Sequence, residues 1–413
     1  MSARVIVGDC RISMAEMETA SVDSIVCDPP YELGFMGKSW DASGIAYDLE
    51  VWRQALRVLK PGGYLLAFSA TRTYHRMTCA IEDAGFEIRD CIGWHYGSGF
   101  PKSLDVSKAI DKAAGVERPI IGLNPAHRPR EYEWIGGAGG KTAMRPEHKT
   151  GPATDDARRW SGWGTALKPA WEPVVVARKP LEGTVAANVL KYGTGAINVD
   201  GCRVASSDAL VRPPIDRNDN VAYGKGLGVG VQVEPAGRWP ANVILSHNPA
   251  CGEECAPGCP CAAMDAQSGG DGASRFFSNL PIEADDLVPF FYTAKPGRSE
   301  RDEGCEDLEA KTSRSAMNAA NGTGERRDGA PSPVRSNHHP TVKPVSVMAW
   351  CIRLVTPPGG LVLDPFTGSG TTGVAARREG MRFVGCELSE EYAEIARARI
   401  RQARGSLFAG GAA

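Results

Sequence analysis

The sequence predicts an α/β fold: a doubly wound, mostly parallel sheet assembled from the two ends of the chain, with a loop-rich stretch between them. Two observations predict it. Near both termini, apolar runs of strand length alternate with helix-length amphipathic segments, the pattern of strands joined by crossover helices. The C-terminal series also stops one strand short, because no strand follows its last helix. The N-terminal run VIVGD can supply that strand, since sheet domains tolerate permutation where the termini lie close together.

The elements follow in order. VIVGD reads as a strand, a short helix is expected around Met14 to Met17, and SIVCD is the next strand. In DLEVWRQALRVLKPGG, Leu49, Trp52, Leu56 and Leu59 share one helical face, Lys60 falls in the last turn, and Gly62 and Gly63 lie past a proline stop. YLLAFSA is a buried strand, followed by a helix through Ile81 closed by Gly85. FEIRDCIGWHY and EPVVVARK are two more strands, with an antiparallel edge allowed. GGAGGKTAMRPEHKTGPATDDARRW is too rich in glycine and polar residues for a core element. From about residue 181 to 335, short strands (TVAANVL, GAINVDGCRV, ANVILS, VPFFYTAK) alternate with polar loops, and SRSAMNAANGTGERRDGAPSPVRSN is expected to be mobile in the isolated protein. At the C-terminal end, LVLDPFTGSGTTGVAARREG reads strand, turn and helix, with Gly380 as its stop. RFVGCEL is a strand, and SEEYAEIARARIRQA a helix with Ser389 as N-cap and Glu390 and Glu391 in its first turn. The expected divisions are residues 1–180, 181–335 and 336–413.

Composition narrows the function classes. The 413 residues allow one large or two modest domains at about 150 residues each, and no stretch has the apolar length of a membrane span. The net charge of −2 excludes a uniformly basic nucleic-acid coat, yet Lys141 to Lys179 holds eight Lys or Arg against four acids, enough for a local basic surface. MSARVIVGDC lacks the segments of a secretion signal, and the twelve cysteines are scattered outside one cluster. A reduced, cytoplasmic protein is therefore expected.

Two motifs carry chemistry. DPFTGSGTT, from Asp364 to Thr372, places glycines between a strand and a helix N-terminus, in the crevice where open α/β sheets take ligands. It is neither GxGxxG nor a phosphate loop with GK[ST]. Gly368 and Gly370 allow close backbone approach, Asp364 can accept from an amine or hydroxyl, and it is a poor neighbour for pyrophosphate. After the next strand, Glu387 stands where an acid can take both hydroxyls of a ribose. An adenosine that carries positive charge and no phosphate is S-adenosylmethionine (AdoMet). The second motif is DPPY, Asp28, Pro29, Pro30 and Tyr31, in which two prolines stiffen the backbone after a strand and supply no N–H donor. Its bland reading is a rigid turn; its functional reading is a carboxylate-and-carbonyl clamp for a ligand's amine. Cys27 reads as a buried strand residue.

These motifs resemble those of the amino-group DNA methyltransferases of the beta order, in which the catalytic motif precedes the AdoMet motif. The catalytic signature is Asp28 to Tyr31, the cofactor signature Asp364 to Gly370, the preceding HPTxKP block His339 to Pro344, and the strand end that contacts the cofactor's adenine Gly8, Asp9 and Cys10. The matches cover roughly residues 1–100 and 336–403. The resemblance implies a circularly permuted, Rossmann-like AdoMet-dependent methyltransferase sheet with a target-recognition insert over 181–335. Double-stranded DNA is the implied substrate. On this reading Asp28 and the Pro29 carbonyl accept the hydrogens of a base's exocyclic amine, and Tyr31 stacks on the flipped base. Asp9, Phe366, Thr371 and Lys343 join Asp364, Gly368, Gly370 and Glu387 at the cofactor. Asp9 has a rival reading as a helix N-cap, Phe366 as a core residue, and Lys343 as a helix anchor.

Asp at the first catalytic position resembles the adenine-N6 enzymes more than the cytosine-N4 ones, so adenine-N6 is expected and cytosine-N4 is the alternative. RNA methylation and an inactive, AdoMet-bound DNA-binding protein are the rivals from other classes. Glutamine-modifying relatives begin the motif with Asn. A cognate restriction endonuclease or a homodimer is compatible with the sequence, as is a solitary bacterial or phage enzyme.

Two further features stand outside the motifs. In HNPACGEECAPGCPC, Cys251, Cys255, Cys259 and Cys261 fall within eleven residues, with His247 just before them. Four thiolates suit a closed tetrahedral zinc site, but the x3, x3, x1 spacing lacks the usual CxxC, so reduced loop thiols are the competing expectation. In RRWSGWGTALKPAWEP, Arg158, Arg159, Trp160, Trp163, Lys168 and Trp171 either face phosphates and bases or, for the tryptophans, pack beneath the sheet.

Overall fold

A computed structural model describes residues 2–33, 39–97, 103–123, 148–204, 237–247, 259–268, 272–280 and 342–403, with short runs and isolated positions between 251 and 339. Thirteen strands and ten α-helices lie among the described residues. The strands that matter here are β1 (Ala3–Val7), β2 (Val22–Cys27), β3 (Leu59–Phe68), β4 (Glu87–His95), then, after the separate antiparallel pair of β5 (Ile120–Leu123) and β6 (His148–Thr150), β7 (Trp171–Arg178), β8 (Val243–Ser246) and β9 (Ser278–Leu280). A two-residue ladder joins β10 (Lys311–Thr312) to β11 (Val334–Arg335), and β12 (Leu361–Asp364) and β13 (Arg382–Glu387) complete the set. Nine strands form one sheet in the order β1-β13-β12-β2-β3-β7-β4-β8-β9.

That order joins the chain's ends. β1 pairs in parallel with β13, from Ala3 opposite Phe383 to Val7 opposite Glu387, and β12 lies beside β2 with Val362 opposite Ser24. The missing third strand is thus the N-terminal one, as the sequence predicts. Buried polar contacts lock the seam: Asp23 takes the Lys60 ammonium at 2.5 Å and the Leu361 N–H at 2.6 Å, and the Ser24 and Thr356 hydroxyls meet at 2.8 Å. β7 runs antiparallel, but between β3 and β4 rather than at an edge.

Side-chain alternation along the strands divides the core in two. Ile25, Cys27, Leu65, Ala67 and Val175 pack with α1 (Cys10–Ala15), α2 (Leu49–Val58) and α3 (Tyr74–Asp83). Val26, Leu66, Phe68 and Val174 face the other way, against helices from the C-terminal end. Between these groups come α4 (Val106–Ala113), α5 (Asp155–Arg159), α6 (Val185–Tyr192) and α7 (Pro260–Gln267); the C-terminal helices are α8 (Val345–Val355), α9 (Thr371–Arg378) and α10 (Glu390–Gln402).

Several expectations are corrected. α2 ends at Val58, so Leu59 and Lys60 open β3 instead of closing the helix. TVAANVL is helical: the Thr184 hydroxyl caps α6 by accepting from the Ala187 N–H at 3.2 Å, and Gly193 ends it at φ 74°. Buried Asn188 then ties α6 to the Pro61 carbonyl at 2.9 Å. GAINVDGCRV contains a 3-10 turn, Asp200–Cys202, and a single bridge at Val204. ANVILS forms β8, which with β9 extends the nine-stranded sheet itself, so the 181–335 segment adds strands to the sheet built from the chain's two ends. VPFFYTAK and most of SRSAMNAANGTGERRDGAPSPVRSN lie outside the described residues.

Candidate active site

Four neighbouring parallel strands end in acids on one rim of the sheet. Asp9 follows β1, Glu387 closes β13, Asp364 closes β12, and Asp28 follows β2. The carboxyl ends of such strands form the ligand crevice of an open α/β sheet.

The DPPY motif leaves β2 with Pro29 buried and Asp28, Pro30 and Tyr31 half-buried. The Thr73 hydroxyl, at the start of α3, holds the Tyr31 carbonyl at 2.8 Å. The next residue, Glu32, has φ 55° and donates its N–H to Asp41 at 3.1 Å, so the turn after the motif is braced in a conformation uncommon for a non-glycine residue. The Lys343 ammonium reaches Asp28 Oδ1 at 2.6 Å and Glu172 Oε2 at 3.5 Å, and sits 4.9 Å from the Tyr31 ring centroid. Glu172, from the start of β7, also accepts from the Tyr31 hydroxyl at 2.6 Å and the Tyr96 hydroxyl at 3.3 Å. Burial pushes the Tyr31 phenol well up, and the Asp28 and Glu172 charges push it further, so it stays protonated and donates. Burial alone would lower the Lys343 ammonium; Asp28 and Glu172 outweigh it and raise it above its ordinary value.

Lys343 therefore stands with the DPPY motif, one residue before the Pro344 N-cap of α8, and its ammonium is committed to Asp28 and Glu172. Cys27 is fully buried, and burial, followed by Asp364 and Asp28, pushes its thiol well up, which fits an inert strand residue.

The glycine-rich turn is braced from beneath. Asp364 is 1% exposed; its Oδ1 accepts from the Phe366 N–H at 2.9 Å and its Oδ2 from the Thr372 hydroxyl at 2.5 Å. Burial pushes its carboxyl up to about 7, against the pull of those two donors. Buried Arg399, on α10, holds the Ser369 carbonyl at 2.8 Å and the Thr371 hydroxyl at 3.2 Å, so Thr371 is engaged toward α10. Gly368 and Gly370 both have positive φ, 53° and 84°. A Cβ on Gly368 would come within 3.0 Å of the His339 ring, and one on Gly370 within 2.8 Å of the Ala396 Cα. Gly370 is thus required by the packing of the turn on α10, whereas Gly368 faces His339, whose ring stands edge-on to Tyr392 at 4.6 Å.

Glu387 accepts from the Gly368 N–H at 2.8 Å and the Ser389 N–H at 2.9 Å, and burial raises its carboxyl against those donors. Asp9 takes the N-cap role. It accepts from the Arg11 N–H at 2.8 Å, and the Arg11 guanidinium, at 2.5 Å, holds its carboxyl below the usual range. Phe366 packs toward Trp52, with centroids 6.3 Å apart, and is partly buried against the core. The rim thus offers carboxylates beside a buried, glycine-containing turn and no phosphate-loop lysine motif, a set that fits a cationic adenosine.

A family model described as DNA methylase (N6_N4_Mtase) matches residues 22–398. The chain belongs to this DNA methylase family. It is 50% identical over 62 residues to the type II methyltransferase M2.DpnII of Streptococcus pneumoniae, covering 15% of this chain and 23% of that protein. It is 42% identical over 77 residues to YubD of Escherichia coli (strain K12), covering 19% of this chain and 34% of that protein. The chain thus spans about a quarter to a third of the length of these curated relatives. Among solved structures, TTHA0409 of Thermus thermophilus, complexed with S-adenosyl-L-methionine, aligns over 98% of this chain and 95% of its own at 17% identity, with a TM-score of 0.38.

Sequence reasoning missed Glu172, Tyr96, Thr73 and Arg399. Glu172 had a signal, an acid placed at the mouth of an apolar strand. Arg399 had a weaker one, an arginine among the alanines of α10; Tyr96 and Thr73 had none. In the basic stretch, Trp160 and Trp163 are exposed and pack on each other at 5.1 Å, while Trp171 stacks on His95 at 5.9 Å. The packing of tryptophans beneath the sheet is therefore overturned. Among the described residues, no helix is long and apolar enough to cross a membrane.

Proposed function

We propose that this DNA methylase transfers a methyl group from AdoMet to the exocyclic amine of a flipped base in double-stranded DNA, N6 of adenine. The observation that carries the reading is the DPPY carboxylate held at 2.6 Å by Lys343, two strand ends from Glu387 and beside the Asp364 turn.

An exocyclic amine is conjugated with its ring, so its lone pair is a poor nucleophile. Asp28 and the Pro29 carbonyl accept its two hydrogens and let the nitrogen become tetrahedral as it attacks, which is stabilisation of the transition state by positioned acceptors. Pro29 and Pro30 hold those acceptors rigidly and add no competing donor. Lys343 fixes the orientation of Asp28, and Glu172 fixes Lys343 and the Tyr31 hydroxyl together. The Tyr31 ring is the surface on which an extruded base stacks.

AdoMet would supply the electrophilic methyl, its S–CH3 bond breaking as the N–C bond forms, with S-adenosylhomocysteine the leaving group and the surplus amine proton released to solvent. Its adenosine end fits the rim formed by Phe366, Gly368 and Glu387, and Asp364 and Thr371 brace the turn that holds it. A cation brought against this rim favours the ionised carboxylates that burial now raises. The basic segment and exposed Trp160 and Trp163 face the DNA, and the 181–335 segment reads the target. Association with an endonuclease or a second copy, and action in the cytoplasm, rest on the resemblance alone.

The test is mass spectrometry of nucleosides from unmethylated, mixed-sequence DNA after incubation with the protein and AdoMet. N6-methyladenine is the expected product. N4-methylcytosine would keep the mechanism and overturn the choice of base, and no modified base in DNA, with AdoMet bound, would overturn the substrate.

A further inference from the structure

The structure assigns a second site, built from residues that the methyl-transfer chemistry does not use: we propose that His247, Cys251, Cys255 and Cys259 bind one structural zinc ion through the His247 Nδ1 and three thiolates. One ligand atom from each of the four lies within 4.8 Å of all the others. The Cys255 and Cys259 sulfurs stand 3.5 and 3.6 Å from His247 Nδ1. In a tetrahedron with Zn–S near 2.3 Å and Zn–N near 2.05 Å, the S···N edge is about 3.6 Å. For these two pairs the protein already holds the spacing that a tetrahedral ion would impose, and the Cys251 sulfur lies within 4.8 Å of the other three ligand atoms.

The surroundings select the same ligand atoms. Cys261 Sγ lies 3.7 Å from the other ring nitrogen, Nε2, and 3.1 Å from Asn279 Oδ1. With Nε2–H donating to the Cys261 sulfur and the Cys261 thiol donating to Asn279, the His247 tautomer is fixed with its Nδ1 lone pair toward the three cysteines. Asn279 is itself held by donating to the Ser274 carbonyl at 3.0 Å. Such outer partners are what orient a metal-bound histidine. The Ala256 N–H points at Cys251 Sγ from 3.2 Å, a donor suited to a thiolate. The expected quartet therefore changes: His247 takes the place of Cys261, which becomes the second-nitrogen partner of the histidine. This arrangement also explains the absence of CxxC, because the fourth ligand comes from the end of β8 instead of a second cysteine pair.

Four protein ligands leave no open position, and the soft thiolates favour zinc over magnesium or calcium. The site ties His247, just past β8, to Cys259, the residue before α7. The apolar cluster there is small, built on Leu245, Cys259 and Cys261, so a metal clip supplies order that burial alone does not. Its role is to hold the edge of the sheet where the inserted segment leaves the catalytic domain.

The test uses the full chain purified without chelator from zinc-supplemented cells. Elemental analysis should give about one zinc per chain, and cobalt(II) exchange should give intense tetrahedral d–d bands with a sulfur-to-cobalt charge-transfer band. Cys261→Ser should keep the metal, while His247→Ala and Cys251→Ser should lose it or shift the cobalt bands. Wild-type protein with no metal and no charge-transfer band overturns the site, without recourse to any variant. Metal lost in Cys261→Ser and kept unchanged in His247→Ala overturns the ligand assignment.

Discussion

Replacing Lys343 by Met tests whether the Asp28–Glu172 pair is held by one shared cation. The side chain lies 2.6 Å from Asp28 and 3.5 Å from Glu172, with side-chain exposures of 9%, 18% and 19%. Removing one partner of a buried ion pair costs ~3–5 kcal/mol, because a charge is left uncompensated. Both carboxylates keep some solvent contact, which places the expected loss near the lower end, ~3 kcal/mol. At an unfolding entropy of ~2.1 cal/mol/K per residue, a chain of this length loses ~3–5 °C in Tm. The lysine's raised value sets the pH dependence: its stabilisation is full below the ordinary value of 10.5 and is lost only as pH rises through the higher folded value. The deficit should therefore be constant from pH 6 to 9. Adding Glu172→Gln to Lys343→Met should recover part of it by removing one of the two unpaired charges. Scanning fluorimetry of the wild type, both single variants and the double variant measures the cycle. A Lys343→Met protein as stable as wild type, or a double variant no better than the single, would refute the shared-cation account.

Other predictions follow from the turn and the motif. Asp364, held at about 7, binds a proton in the folded state that the unfolded chain has released, so its contribution to stability falls as pH rises from about 4 to 7. The advantage of wild type over Asp364→Asn should accordingly be larger at pH 5 than at pH 8 in paired melts; an advantage that grows with pH would contradict the assignment. Gly370→Ala places a Cβ 2.8 Å from the Ala396 Cα at φ 84°, and should destabilise by ~1–3 kcal/mol in denaturant titration. Tyr31→Phe keeps the stacking ring and loses only the bond to Glu172, so methyl transfer should fall by about tenfold, and by considerably more in Tyr31→Ala.

Much of the sheet was legible because its strands announce themselves. SIVCD, YLLAFSA and EPVVVARK are apolar runs of strand length, and the order of the two halves followed from the one strand missing after α10. Which layer of helices each side chain meets was not legible, because β2 is apolar and buried along its length; the structure turns Val26 to one face and Ile25 and Cys27 to the other. The TVAANVL helix was hidden by its valines, whose strand preference is overridden by the Thr184 cap, the Gly193 stop and buried Asn188. The edge strand β8 carries apolar residues like any other, and nothing local to it shows that it joins a sheet whose nearest strand, β4, lies some 150 residues earlier in the chain.

Within the site, the acids at strand ends were legible because strand-end position is a property of sequence. Their present partners were not. That Lys343 reaches Asp28, 315 residues away, depends on how α8 begins over β2, and that Arg399 braces the Gly370 turn depends on the packing of α10. The same holds for the histidine beside the cysteine cluster. Spacing singled out four cysteines, but the fold brings the His247 ring to two of them and gives Cys261 to its other nitrogen.

The most direct test of the central claim is Asp28→Ala, assayed in parallel for methyl transfer to DNA from labelled AdoMet and for AdoMet affinity by calorimetry. The account predicts transfer lowered by ~10²–10³-fold or more, with affinity within about threefold of wild type, because the turn proposed to hold AdoMet is braced by Asp364 and Arg399 and not by Asp28. Equal loss of transfer and binding would contradict it, as would transfer that survives the substitution.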